Sequence, residues 1–270
     1  MLPWHRRLRL RSRLQAVVLV FAVANYRHGY NIGVNTNYLD DRVAADLQSI
    51  DWLAVRDLPG ILPTQQRRSQ ETTIALLEAA ALMLRERSLD EFSIEDLCKR
   101  VGVTIGAFYG RFEGKDAFFS ALMSLAASRA LAAVHAAVAD EENLGTGLEQ
   151  ACRRVVEVAV DVVRRNVGVV RAASQYESVY PERWGTIRAT GSAMVGLAMP
   201  LLLARMGRGR IAAKERSIGF AFQMMFGTLI NAVLHKPKLV SLDEPEMVDR
   251  LALAMFLQLQ HEARANRPAR

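Results

Sequence analysis

The chain has 270 residues, 51% of them hydrophobic, enough to bury one large core or two ordinary ones. Its net charge of +7 and pI of about 9.8 invite an acidic partner such as nucleic acid or an anionic membrane. Residues 64–116, however, carry 8 Lys and Arg (67, 68, 85, 87, 99, 100, 111, 115) against 9 Asp and Glu (71, 78, 86, 90, 91, 95, 96, 113, 116), so bulk charge assigns no partner to that stretch. Two cysteines, Cys98 and Cys152, make no disulfide framework, and neither they nor the five histidines have metal-ligand spacing. No metal and no cofactor is expected. Ala, Leu and Val dominate the apolar content, a composition that favours an all-helical chain.

The first sixty residues are the least regular. Residues 5–13, "HRRLRLRSR", are strongly basic, residues 14–24 are apolar, and Ala22-Val23-Ala24 resembles a small-residue cleavage site. That order is the order of a secretory signal, although 11 apolar residues are too few to span a bilayer as a helix. An Asn- and Gly-rich stretch follows, then a short amphipathic segment at 43–55 and the break "DLPGILP", bracketed by Pro59 and Pro63. Three readings compete: export, a basic flexible arm, and a translated segment upstream of the true start, with Val55 as an alternative start. The last, or a loose extension, is favoured if the remainder binds DNA. Residues 1–63 are therefore set apart as a poorly ordered extension.

Residues 64–116 predict three helices. Ile74, Leu77, Ala81 and Leu84 recur at three- and four-residue steps, giving a first helix over about 67–87. Ser93 is a good N-cap for a second, with Asp96 three residues on and Glu95 suited to the positive helix end. Ile94, Leu97, Cys98 and Val101 form its inner face, and Gly102 stands where a C-terminal cap needs positive φ. Thr104 caps a third helix over 105–112, with Val103, Phe108 and Phe112 turned inward. This is a helix-turn-helix arrangement, whose second member enters the major groove. Ile105, Gly106, Ala107 and Gly110 face outward, small enough to allow close approach to DNA and apolar enough to meet thymine methyls. Tyr109, Arg111 and Lys115 suit phosphate oxygens.

The run "FSIEDLCKRVGVTIGAFYGRFEGKDAFFSAL", preceded by "IALLEAAALML", resembles the DNA-binding signature of the TetR family of bacterial transcriptional regulators over residues 70 to about 122. The resemblance implies that Thr104 caps the recognition helix and touches phosphate, and that Ile105, Gly106, Ala107 and Gly110 face base edges. Tyr109, Lys115 and Arg111 would bind backbone. Ile94 departs from the family's frequent Thr, so Ser93 would carry that phosphate contact alone.

Residues 117–270 read as further helices, interrupted at "ENLGTG", at Asn166-Val167-Gly168, at Tyr180-Pro181 and at "GRGR". No fixed repeat, nucleophile elbow, phosphate-cradling glycine loop or zinc-binding His-Glu pair is present, so no catalytic residue is named and no enzyme is expected. Phe220, Met224, Thr228 and Ala232 share one face of the penultimate helix, with Met225, Leu229 and Val233 beside it. Leu251, Leu253, Ala254, Met255, Leu257 and Leu259 leave the last helix little polar surface. Such helices are buried on several sides, by core or by a two-fold partner. The resemblance implies a homodimer through this pair. It also implies a pocket for a hydrophobic small-molecule effector, with Tyr176, Trp184, Met194, Met199, Phe222 and Met225 as candidate lining residues.

The expectation is an all-α protein with an N-terminal three-helix DNA-binding domain at 64–116 and a larger helical ligand-binding and dimerisation domain at 117–270. It would be a cytoplasmic, ligand-responsive, homodimeric repressor on a near-palindromic operator of double-stranded DNA. The rival is an exported or membrane-associated helical protein that binds small molecules, supported by residues 6–24.

Overall fold

The computed structural model describes residues 55–140, 145–179, 185–235 and 240–265. The expectations for residues 1–54 lie outside the described residues. Among the described residues the regular elements are all helical: α1 (Arg67–Glu86), α2 (Ile94–Val101), α3 (Ile105–Tyr109), α4 (Lys115–Ala139), α5 (Leu148–Arg165), α6 (Val167–Val179), α7 (Gly185–Arg205), α8 (Ile211–His235) and α9 (Pro245–Ala265). The protein is all-α, with a helix-turn-helix ahead of a larger helical region.

The described chain divides into two compact units. One comprises the residues up to Met83 with Glu91–Leu125; the other comprises Leu84–Asp90 with the residues from Ala126 onward. The division does not fall at 116/117, because α4 is one unbroken helix from Lys115 to Ala139. Nor does the first unit begin at 64. Val55 is fully buried, and Leu58 and Ile61 nearly so. Ile61 pairs with Phe112 in an isolated antiparallel bridge, and the Leu62 N–H donates to the Arg111 carbonyl at 2.8 Å. The prolines that mark a break instead bracket a strap with an apolar residue at every third position. Gly60 (φ +87°) makes its turn, and a Cβ there would lie 2.6 Å from the Ala117 carbonyl oxygen.

The first unit's core is aromatic. Phe108, Phe112 and Phe118 are fully buried beside Phe92 and Phe119, with centroids 4.8 Å apart for Phe112–Phe118 and 5.2 Å for Phe108–Phe118. Edge-to-face packing at these distances adds specificity to area burial. Leu76 and Leu77 of α1 and Leu97 of α2 complete it.

The second unit's core is largely aliphatic. α5 packs on α9, and α8 on α7 and α9, enclosing Val156, Val160, Leu202, Ile218, Phe222 and Leu229 among others. The break expected at 166–168 is a single residue, Asn166, whose side-chain amide donates to the Val162 carbonyl at 2.8 Å before α6 begins. Gly168 permits a close crossing: a Cβ there would lie 2.4 Å from the Leu84 carbonyl carbon. Arg171 of α6 donates to the carbonyls of Leu84 (2.6 Å) and Arg85 (3.1 Å), two of the groups that a helix end leaves unpaired. Three helical stretches, Lys115–Ala139, Thr186–Arg205 and Ile211–His235, are long and apolar enough to cross a membrane by length and composition.

Candidate nucleic-acid interface

The turn between α2 and α3 is built by three local devices. Ser93 Oγ accepts from the Asp96 N–H at 2.9 Å and starts α2, whose first turn carries Glu95 and Asp96 and whose last carries Lys99 and Arg100, each sign placed to suit the helix dipole. Gly102, in the left-handed region at φ +76°, closes α2 through N–H donation to Cys98 and Lys99 carbonyls. Thr104 Oγ1 then accepts from the Ala107 N–H at 3.1 Å and starts α3. That helix ends at Tyr109 rather than at 112; Gly110 caps it, and Phe112 has turned into the bridge with Ile61.

Phe108 is the anchor. It lies fully buried, while Ile105 and Tyr109 on the same short helix are 46% and 52% exposed. Tyr109 stands edge-on to the Phe108 ring at 5.2 Å, which fixes its ring and leaves it on the outer surface. Gly106 and Gly110 are exposed, and Ala107 is half-buried. A Cβ added at Gly106 or Gly110 would come no closer than 3.8 Å and 3.4 Å to its nearest neighbour. The fold itself therefore has room for side chains at both positions. Their smallness shapes the outer face, where the chain backbone is open to close approach.

Two of the expected phosphate ligands turn inward in part. Arg111 donates from Nε to the Ser69 carbonyl at 3.2 Å, and from Nη1 to the Ala107 carbonyl. Burial holds its pKa below the ordinary arginine value. It thus ties the end of α3 to α1, a tether 42 residues apart in sequence. Lys115 donates to the Phe92 carbonyl at 3.0 Å, with its ammonium about 6 Å from the rings of Phe92 and Phe119. Its side chain remains exposed, and an ammonium has two further donors to offer. Ser93 and Thr104 both spend their oxygen acceptors on capping, leaving the hydroxyl protons available to an outside acceptor.

The strap at residues 55–62 was not anticipated as part of this face. Its signal was available in the three-residue spacing of Val55, Leu58 and Ile61, masked by the flanking prolines. Of the residues expected to line an effector pocket, Met194 and Phe222 line a cleft in the second unit. Met225 is buried in the core and Met199 packs against it, but neither lines the cleft. Trp184 and the side chain of Tyr176 lie outside the described residues. Both cysteines are buried; burial raises the thiol pKa of Cys98, and burial, then Glu149, pushes that of Cys152 to about 12. Neither is a ready nucleophile. No group of His, Cys, Asp and Glu suited to a metal occurs among the described residues.

Residues 76–122, from within α1 to within α4, match the family model described as bacterial regulatory proteins, tetR family. No curated protein matches the chain. Among solved structures, a TetR transcriptional regulator from Rhodococcus sp. RHA1 is similar at 17% identity, covering 72% of this chain and 97% of that one, with a TM-score of 0.42. The matched span contains both capped helices, the Gly102 turn and the exposed face of α3, and through this helix-turn-helix the chain belongs to the tetR family of DNA-binding bacterial transcription regulators.

Proposed function

We propose that the protein is a cytoplasmic homodimeric repressor that docks α3 in the major groove of a near-palindromic operator and is released by a small-molecule effector. The observation that carries the DNA face is the row Ile105, Gly106, Tyr109 and Gly110, exposed above a fully buried Phe108. The small residues admit close approach to base edges. Tyr109 and Lys115 address phosphates, which orient the protein without reading sequence. Arg111 serves the same face by holding α3 to α1.

The dimer reading rests on α8 and α9, which pack on each other and keep large apolar side chains outside. Phe220, Met224 and Leu234 of α8 and Leu253 and Leu257 of α9 are all at least 36% exposed. Apolar residues gathered on an outer face mark an association surface, and a two-fold pairing of identical patches is the commonest solution. Two copies would set paired α3 helices against half-sites about one helical turn apart. An effector then acts only insofar as it binds one arrangement of the dimer better than the other.

The test is binding to DNA from the protein's own promoter region and to a scrambled duplex across a salt series. Retained preference for the promoter sequence at physiological salt is expected; equal affinity for both sequences overturns the repressor reading.

The three long apolar helices favour a second reading, attachment to a membrane. Against it, α4 already spends Phe118, Ala121, Leu122 and Leu125 on protein packing, and a helix so used has no free apolar girdle for lipid. Recovery of the native protein in the soluble fraction of cells is expected. Recovery only with membranes would favour the second reading.

A further inference from the structure

We propose that the effector is an apolar molecule carrying a carboxylate, seated among α4, α5, α7 and α8 with that carboxylate on the Nε–H of Arg154. This gives a ligand class to the effector reading above and rests on it.

A cleft of about 330 Å³, part of it open to solvent, lies wholly within the second unit. Its walls include Val134 and Ala137 of α4, Val155 of α5, Met194 and Leu201 of α7, and Phe222 of α8. That volume is at the lower end of what small-ligand sites enclose, and the apolar lining is what such sites commonly have. Arg154 is the one lining residue with a polar side chain.

The state of that side chain gives the argument its direction. Arg154 Nε is buried and has no hydrogen-bond partner. Its nearest carboxylate is Glu157, 3.7 Å from Nη1 and on the same helix, too far for a good hydrogen bond. A guanidinium cannot shed its charge near neutral pH, so an N–H buried without an acceptor stays uncompensated until a partner arrives. Arg171, by contrast, donates to two backbone carbonyls. An apolar wall with one unmet cationic donor selects a molecule with an apolar body and one anionic acceptor. A carboxylate gains the charge-assisted bond that an ester or alcohol forgoes. A phosphate monoester is disfavoured, since no second cation lines the cleft to meet its further charge.

The experiment is calorimetric titration of the full-length protein with octanoate and decanoate, and with their methyl esters and the corresponding alcohols. The wild type should bind the acids at least about tenfold more tightly than the esters. Arg154→Met should abolish that preference while still binding the esters, and Arg154→Lys should restore part of it. Val158→Trp, which fills the cleft from another wall position, should block acids and esters alike. Thermal melts of each variant establish that it is folded. Equal affinity for acid and ester in the wild type, an acid preference that survives Arg154→Met, or no binding of any of these probes overturns the proposal. Promoter binding is measured on the same preparations. Retained DNA binding without acid binding removes only this ligand class, whereas acid binding without sequence-preferred DNA binding removes the repressor reading and leaves the site.

Discussion

The two units present opposite kinds of outer surface, and each follows from what lies beneath. In the first, five clustered phenylalanines anchor a helix of five residues, and the side chains it turns outward are small or carry a polar tip. In the second, aliphatic helices as long as 25 residues share a core and still hold Phe220, Leu253 and Leu257 about half-exposed. A short helix has too little periodic surface to hold itself and takes its order from tertiary anchors. Long apolar helices have more greasy surface than one core can cover. The first surface therefore suits a polar, grooved partner, and the second suits another apolar face.

Four substitutions test that contrast, from the largest expected effect to the smallest. Phe220→Asp combined with Leu257→Asp places charge on the exposed apolar face without touching the core. It should weaken self-association by about 3–5 kcal/mol, read by sedimentation as a shift to monomer with native helicity retained. An unchanged oligomeric state would remove the association role from this surface. Gly168→Ala should cost about 2–3 kcal/mol of stability, because its Cβ meets backbone at Leu84 rather than a yielding side chain. A melting temperature equal to wild type would show that the close crossing is not real.

The glycines of the first unit make the sharper pair. Gly102→Ala forces a side chain into the left-handed region, although no neighbour would crowd it, and should lose about 1 kcal/mol of stability. Gly106→Ala in α3 should leave stability equal or raise it by up to about 1 kcal/mol, yet weaken promoter binding. If Gly106→Ala binds DNA as wild type does, the close-approach face is misassigned. Smallest is the comparison of Tyr109→Phe with Arg111→Met. The first should cost about 1 kcal/mol of affinity for promoter and scrambled DNA alike, with an unchanged melting temperature. The second should lower the melting temperature, since its guanidinium holds the carbonyls of Ser69 and Ala107. Reversed outcomes would exchange the roles given to the two residues.

Much of the DNA-binding unit was legible because its devices are local. Ser93, Gly102 and Thr104 act on backbone within a few residues of themselves, so their spacing carries their role. Phe108 and Phe112 were legible as core because an aromatic at that step of a helix-turn-helix has only one side to bury. Arg111 was not: as a cation beside exposed small residues it reads as a phosphate ligand, and only the approach of Ser69 from α1 makes it a tether. The packed strap at 55–62 was obscured by Pro59 and Pro63, whose local meaning is a break. In the second unit, periodicity marked Met194, Met199, Phe222 and Met225 as interior alike. It did not separate the two that line the cleft from the two that serve the core.

By itself the sequence determined the all-helical class, the caps and turn of the helix-turn-helix, and the short row of outward residues after Thr104. Each depends on dihedral preferences and hydrogen bonds reaching no more than one helical turn. Tertiary structure alone decided which cations are held internally, which apolar faces remain uncovered, that Gly168 is a crossing point, and that Arg154 ends with an unmet donor in an apolar wall. Those outcomes depend on which distant segment arrives against a given side chain, and no local preference encodes the identity of that neighbour.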